Sequence, residues 1–213
     1  MVKYSKIPEA TIRRLSRYSR CLEEMEERGE KVVSSAQLAD LCIVNAAQVR
    51  KDLAYFGEFG VRGIGYHVKD LYHDIRQILG LNKEWRMALI GVGNLGSSLL
   101  FYKGLQTRNY QIVAAFDIDP QKVIGRVSEK MGKPVEILHI DRMKEVAKER
   151  KIDIGIITTP SSEAQKVANL LVEAKVRGIL NFAPAQIVVP EGYVVKSVFF
   201  TTVLDNLAYL LSN

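Results

Sequence analysis

Gly91, Val92, Gly93, Asn94, Leu95 and Gly96 stand where an apolar run, Met87 to Gly91, gives way to a helical pattern over 94–106. Glycines spaced G-x-G-x-x-G at a strand-to-helix junction constrain this chain more than any other feature. The first permits a tight turn, the second lets a pyrophosphate approach the backbone, and the third lets helix and strand pack closely. The amides that open the helix face the phosphates. Asp117 follows the next apolar run, Gln111 to Phe116, 21 residues after Gly96. A carboxylate there accepts the hydroxyls of an adenosine ribose and repels a 2′-phosphate, so the expected cofactor is NAD(H) rather than NADP(H). Further apolar runs at Ile152 to Thr158, Gly178 to Phe182 and Tyr193 to Val198 alternate with helical stretches near 141–150 and 162–175. That alternation is the pattern of a parallel sheet covered on both faces, a Rossmann domain. Thr158, Thr159 and Pro160 close one strand, and Asn181, Phe182, Ala183 and Pro184 another, at the carboxyl edge where a nicotinamide would lie. The plain alternative is a glycine turn in a sheet that holds no nucleotide.

The first third of the chain has a different period. Ile12, Leu15, Tyr18, Leu22 and Met25 recur at spacings of three and four, the mark of a helix with one buried face. The first half of that helix is rich in arginine, including Arg13, Arg14, Arg17 and Arg20, and its second half is rich in glutamate. A solvated surface is the ordinary reading of such a charge run. Ser34 and Ser35 then cap a short helix through Leu41, Cys42-Ile43-Val44 forms a turn, and Asn45 caps a third helix running to Tyr55. Two short helices joined by such a turn make a helix-turn-helix. On its second helix Asn45, Ala46, Ala47, Gln48, Arg50 and Lys51 have the character of a base-reading surface: small residues admit close approach, Gln48 suits adenine, and Arg50 and Lys51 suit guanine or phosphate. A helix-turn-helix used for protein contacts is the alternative. Gly57 to Tyr66 holds four glycines among apolar residues and is expected to form a two-stranded wing, with Arg62 and Gly63 offered to a narrow minor groove. A helix from Val68 to Leu79 closes the unit, and the polar stretch Gly80 to Glu84 marks a boundary.

The net charge of +6 fits a polyanion partner only once those arginines and lysines are located. A 47% hydrophobic, 25% charged composition excludes disordered and fibrous classes. No run approaches the roughly 18 apolar residues that span a bilayer, and the start Met-Val-Lys-Tyr-Ser-Lys lacks a signal-peptide core. The expectation is a cytoplasmic protein with no membrane partner. Cys21 and Cys42 are too few for a disulfide framework, and too few for a structural zinc without most of the three histidines, so no metal is expected. An enzyme would need an acid–base group beside the nicotinamide. His67 and His73 fall outside the nucleotide segment and His139 sits in an apolar run, so no catalytic residue is assigned and the chain is read as a non-enzyme.

Ile7-Pro-Glu-Ala, Ser34-Ser-Ala-Gln-Leu, the run from Gln48 to Tyr66, the glycine fingerprint, Phe116-Asp-Ile-Asp-Pro120 and Gly178-Ile-Leu-Asn-Phe-Ala-Pro184 together resemble the Rex family of redox-sensing transcriptional repressors. The resemblance implies a homodimer that binds an inverted-repeat operator in double-stranded DNA and releases it as NADH accumulates, with NAD⁺ competing for the same pocket. It places Phe200 at the cofactor and assigns a switch to Arg20, Tyr102 and the position of Phe199, where the family usually has an aspartate. The expected architecture is α/β. A winged helix-turn-helix over 1–82 precedes a Rossmann NAD(H)-binding domain over 83–200 and a terminal helix over 201–213. That helix is apolar over much of its circumference through Val203, Leu204, Leu207, Tyr209, Leu210 and Leu211, which calls for burial between two subunits; the resemblance adds its exchange between protomers. Two other readings are an NAD-dependent oxidoreductase with an appended helical domain and a nucleotide-binding scaffold without DNA activity.

Overall fold

The periodic apolar stripe of the first segment folds as α1 (Glu9–Glu27), which buries Leu15, Tyr18, Leu22 and Met25 along one face. A computed structural model describes residues 7–61, 63–106, 109–121 and 136–212. It divides into two compact units, Met1–Lys83 and Glu84–Asn213. In the first unit α1 ends where Gly29 takes φ 76° and Glu30 N–H turns back to the Met25 carbonyl. The two-residue strand β1 (Val32–Val33) leads to α2 (Ser35–Leu41). Ser34 and Gln37 exchange side-chain and backbone hydrogen bonds at its start, a capping box. After the turn, α3 (Ala46–Ala54) is capped by Asn45 Oδ1, which accepts the Gln48 N–H at 2.7 Å. The strand β2 (Tyr66–His67) and α4 (Val68–Ile78) complete the unit, whose core gathers Leu38, Val49, Leu53, Leu71 and Ile75 around the buried face of α1.

The glycine-rich segment does not form the expected hairpin. Its only pairing among the described residues is a single bridge, Val61 to Gly65, while Tyr66 and His67 pair back onto Val33 and Val32. Gly57, Gly60, Gly63 and Gly65 all hold positive φ, which bends the chain out of the extended conformation that a ladder requires. At Gly65 a side chain would meet the Val33 carbonyl oxygen at 2.5 Å, so the bare backbone is what lets this loop close against β1.

In the second unit six strands form one parallel sheet: β3 (Trp85–Ile90), β4 (Tyr110–Asp117), β5 (Ile137–His139), β6 (Ile154–Ile157), β7 (Gly178–Asn181) and β8 (Val194–Ser197). Their order is β5-β4-β3-β6-β7-β8. Side chains alternate along β3, with Ala88 and Ile90 in the core on one face and Met87 and Leu89 in that on the other. Among the described residues the helices of this unit are α5 (Asn94–Leu100), α6 (Lys103–Gln106), α7 (Met143–Glu149), α8 (Ser161–Glu173) and α9 (Phe200–Ser212). Gly155 on β6 admits α8, because a side chain there would meet Leu171. The helix expected over 94–106 is broken: Phe101 and Tyr102 donate to carbonyls three residues back, which tightens the last turn and ends α5. Strand β5 escaped the periodicity because three residues are too few to show alternation. Every described residue of α9 is exposed in the single chain. Among the described residues no helix is long and apolar enough to cross a membrane.

The first unit is pinned at Asp52, which is fully buried on α3. Its carboxylate accepts hydrogen bonds from Thr11 (3.0 Å), from Arg14 through Nε (2.6 Å) and Nη2 (2.7 Å), from Tyr18 (2.9 Å) and from Gln48 (2.9 Å). Burial alone would raise this group, but those four donors outweigh it and hold the carboxyl below its ordinary value. Removing one partner of a buried pair strands the other, so Asp52→Ala is expected to destabilise the first unit by about 3–5 kcal/mol in chemical unfolding at neutral pH. A depressed pKa contributes stability above the unfolded value of about 3.9 that is lost as pH falls through the folded one. The gap between wild type and variant should therefore hold from pH 7 to about 5 and close below about pH 4.

Candidate functional site

Strand order reverses between β3 and β6, and the crevice at the carboxyl ends of those two strands is where open parallel sheets bind ligands. The fingerprint glycines line it. Gly91 has φ 93°, a conformation that side chains resist, and a Cβ there would press on Thr158 and Thr159. A Cβ on Gly96 would overlap the Gly91 carbonyl oxygen and come within 2.9 Å of Thr158 Oγ1. Gly93 differs: a Cβ there would meet nothing within 4 Å among the described residues, which leaves space above the start of α5. Gly93, Asn94 and Leu95 are exposed around that space, while Val92 is buried. Thr158 Oγ1 lies 2.7 Å from the Gly91 carbonyl and 3.0 Å from that of Ile90, as donor to both. It holds the ends of β3 and β6 together.

Asp117 ends β4 half-buried. Its Oδ2 accepts the Val92 N–H at 2.7 Å and its Oδ1 the Asp119 N–H at 3.0 Å. A carboxylate offers about four acceptor sites, so lone pairs remain for further donors. Beside it Ile118 is 78% exposed, an apolar face that periodicity did not single out because it lies past the strand. Thr159 Oγ1 is buried and finds no hydrogen-bond partner among the described residues. An orphaned hydroxyl, an open glycine and a strand-end carboxylate around one crevice fit a dinucleotide. Asn181 is placed differently from a ligand contact. It is fully buried, its Oδ1 accepts the Ala183 N–H, and its Nδ2 faces the carbonyls of Ala183 and Ala185 and the Ser197 hydroxyl. It shapes the loop that carries Ala183, which is buried, and Pro184, which is exposed, as Pro160 is.

On the first unit, α3 exposes Asn45, Ala47, Arg50 and Lys51, with Ala46 and Gln48 half-buried. Gln48 Nε2 is engaged by Asp52, which fixes the direction of its amide. Arg50 Nη1 donates to Ser35 Oγ at 2.8 Å. Together with Phe59, Gly60, Ile64 and Gly65 these two residues line a concavity of about 440 Å³ between the helix-turn-helix and the glycine-rich loop. Arg62 lies outside the described residues, and Gly63 next to it has φ 83°. The basic half of α1 is not simply a solvated face: Arg14 clamps Asp52, and Arg17 Nη1 donates to the Cys42 carbonyl at 3.0 Å. These roles escaped the sequence reading; the signal was Asp52 standing next to Leu53 and three residues after Val49, on the buried side of α3.

Of the residues assigned to a switch, Arg20 is exposed on α1 of the first unit, and Tyr102 (60% exposed) and Phe199 (38%) belong to the second, as does exposed Phe200. His139 Nδ1 accepts the Asp141 N–H at 3.4 Å and lies 3.1 Å from its carboxylate, at the end of β5. Among the described residues no group of His, Cys, Asp or Glu is arranged to hold a metal.

The close approach at Gly96 gives a direct check on the crevice. Gly96→Ala places a methyl against backbone that cannot rotate away, so α5 must move off β3. The expected result is a loss of roughly 1–3 kcal/mol of stability and weaker dinucleotide binding, read by thermal unfolding and NADH fluorescence titration.

Residues 6–54 match the model of a putative DNA-binding protein N-terminus, and residues 82–185 that of a CoA binding domain. The chain is 53% identical to the redox-sensing transcriptional repressor Rex of Syntrophobacter fumaroxidans over 99% of both chains. It is 50% identical to that of Carboxydothermus hydrogenoformans over 98% of both. Among solved structures, RSP in complex with beta-NAD+ and operator DNA matches with a TM-score of 0.88 at 35% identity, covering 96% of this chain and 92% of that one. RSP in complex with beta-NADH matches with a TM-score of 0.82 at 33% identity over 97% and 94%. Identity at this level over essentially the whole length, across both units, makes the chain a member of the Rex family of redox-sensing transcriptional repressors.

Proposed function

We propose that this chain is a cytoplasmic NAD(H)-responsive repressor that holds an inverted-repeat operator through the α3 helices of a homodimer and releases it when NADH binds. The observation that carries the reading is the glycine-lined crevice ending in Asp117, borne on the same chain as a capped helix-turn-helix with Arg50 and Lys51 exposed. Solved relatives hold beta-NAD+ with operator DNA in one case and beta-NADH in another, which supports both ligands. The relatives are repressors rather than enzymes.

Within this reading Gly93 lets the pyrophosphate lie against the start of α5, Asp117 accepts the ribose hydroxyls, Ile118 flanks the adenine, and Thr159 donates to or accepts from the ligand. Thr158 and Asn181 hold the crevice in shape. On the DNA side, Arg50 and Lys51 face the major groove, Asn45, Ala46 and Ala47 allow close approach, and Arg62 and Gly63 meet the adjoining minor groove. Reduction of NAD⁺ removes the positive charge of the nicotinamide and so supplies the signal. Phe199 cannot pair with Arg20 or accept a hydrogen bond from Tyr102, as a carboxylate would. Preference for NADH then rests on apolar packing near Phe199 and Phe200, which disfavours a charged ring. The dimer is supported by α9, whose Val203, Leu204, Leu207, Tyr209, Leu210 and Leu211 are all at least half exposed in the single chain. An open apolar groove of about 340 Å³ on the sheet, lined by Met87, Tyr110, Ile154, Ile156 and Leu180, also awaits cover.

The test is an operator-binding titration with NADH and NAD⁺ varied separately: NADH should release DNA, NAD⁺ should oppose it, and operator binding indifferent to both rejects the reading. In the same assay Asp117→Ser should weaken NADH and narrow its advantage over NADPH. A truncation ending before Thr201 should sediment as a monomer or aggregate; a soluble dimer would contradict the role given to α9.

A further inference from the structure

Gln48 carries an amide whose two ends are chemically opposite, one donating and one accepting, and Asp52 decides which end faces outward. Asn45 Oδ1 accepts the Gln48 backbone N–H, so Gln48 stands in the first turn of α3, the part of a helix-turn-helix that meets base edges. Asp52 is four residues on, one turn along the same side, and its Oδ1 accepts Gln48 Nε2 at 2.9 Å. An ionised carboxylate can only accept, so the amide nitrogen must face it and the carbonyl oxygen must face away. Gln48 Oε1 meets no donor among the described residues and is not enclosed, which leaves it for a partner. We propose that Asp52 is a positioning residue for operator reading: by turning Gln48, it requires an amine on the base that Gln48 meets, which is adenine or cytosine. This rests on the repressor reading, in which α3 enters the major groove.

The aim is firm because Asp52 cannot turn. Arg14 holds it through two bonds, Nε to Oδ2 at 2.6 Å and Nη2 to Oδ1 at 2.7 Å, and Thr11 and Tyr18 add one bond each. All three lie on α1, so α1 sets the direction of a side chain carried by α3. The same donors keep the carboxyl ionised at neutral pH, which denies it the proton that a reversed amide would need. In the major groove adenine N6 and cytosine N4 are donors, whereas guanine O6 and thymine O4 are acceptors. Against an outward Oε1 the first two form a hydrogen bond, and the last two leave two acceptors facing each other without a proton. A glutamine without such an anchor turns its amide over and donates to a keto oxygen, so it tolerates all four bases more evenly. Arg50 and Lys51 are donors only and favour guanine, so Gln48 and its anchor supply an acceptor that neither of them can.

The experiment selects duplexes bound by the full-length protein from a randomised inverted repeat. It then replaces each adenine in turn by purine and each cytosine by 2-pyrimidinone, bases that lack only the exocyclic amine, and measures Kd for wild type and Gln48→Ala. Expected is one position in each half-site where loss of the amine weakens wild type by about ten-fold, within what one base contact is worth, and leaves Gln48→Ala unchanged. A keto base at that position should be rejected by wild type to a similar degree. Asp52→Ala frees the amide and should reduce this discrimination to about two-fold while preferences at the other positions are kept. A purely structural role for Asp52 would lower affinity for every sequence alike and leave the discrimination intact. If Asp52→Ala does not fold, Arg14→Met combined with Asp52→Leu replaces both charges by apolar groups, a change that folded proteins tolerate, and carries the same test. The comparison of wild type with Gln48→Ala depends on neither variant. A keto base selected at the Gln48 position, no position that depends on Gln48, or full discrimination after loss of Asp52 overturns the proposal. Selection of no duplex at all rejects the repressor reading itself, which separates the two failures.

Discussion

A carboxylate with no solvent contact needs partners from several directions at once, and Asp52 obtains them by drawing α1 against α3. Thr11, Arg14 and Tyr18 all lie on α1, while Gln48 shares α3 with the carboxylate itself. The network thus fixes one angle between the longest helix of the first unit and the helix that carries its exposed arginine and lysine. Apolar burial by Leu15, Leu22, Val49 and Leu53 supplies bulk attraction, which is tolerant of sliding. A bidentate guanidinium is not tolerant, because two parallel hydrogen bonds fail together when either helix shifts.

The second unit is organised by the absence of atoms. Where the first unit fixes its geometry by crowding donors onto a charge, the crevice between β3 and β6 exists because Gly91 and Gly96 lack side chains and Thr158 fills the space left between strand ends. Among the described residues nothing crowds Gly93 and nothing bonds the Thr159 hydroxyl, so the two offer complementary features, one for bulk and one for a hydrogen bond.

How much of this was legible in the sequence depended on the range of the forces. Short-range rules act on neighbours in the chain, so the capped helices, the strand–turn–helix of the fingerprint and most of the parallel strands could be read from spacing. Strand β5 was too short for a period, and the break at Phe101 depended on three-residue hydrogen bonds rather than on composition. The glycine-rich loop misled because alternation with glycine resembles a hairpin until the sign of φ is known. Contacts that join distant residues were invisible: Arg14 with Asp52, Cys21 with Cys42, and Asn181 with Ser197 have no local signature. Asn181 stands at the strand edge the spacing pointed to, and its bonds into the following loop had no local sign in the sequence.

The hydrogen bond from Val92 N–H to Asp117 gives the end of β4 a hold on the fingerprint turn itself. A residue that faces the ribose side of the crevice is thereby also a strut of the glycine turn, and the two duties cannot drift independently. In evolutionary terms, a descendant that exchanged the aspartate for a residue with no side-chain acceptor would strip the Val92 amide of its partner in the turn. Substitutions that keep an acceptor at this position, such as serine or asparagine, are the ones the turn leaves open to a lineage that changes its dinucleotide preference.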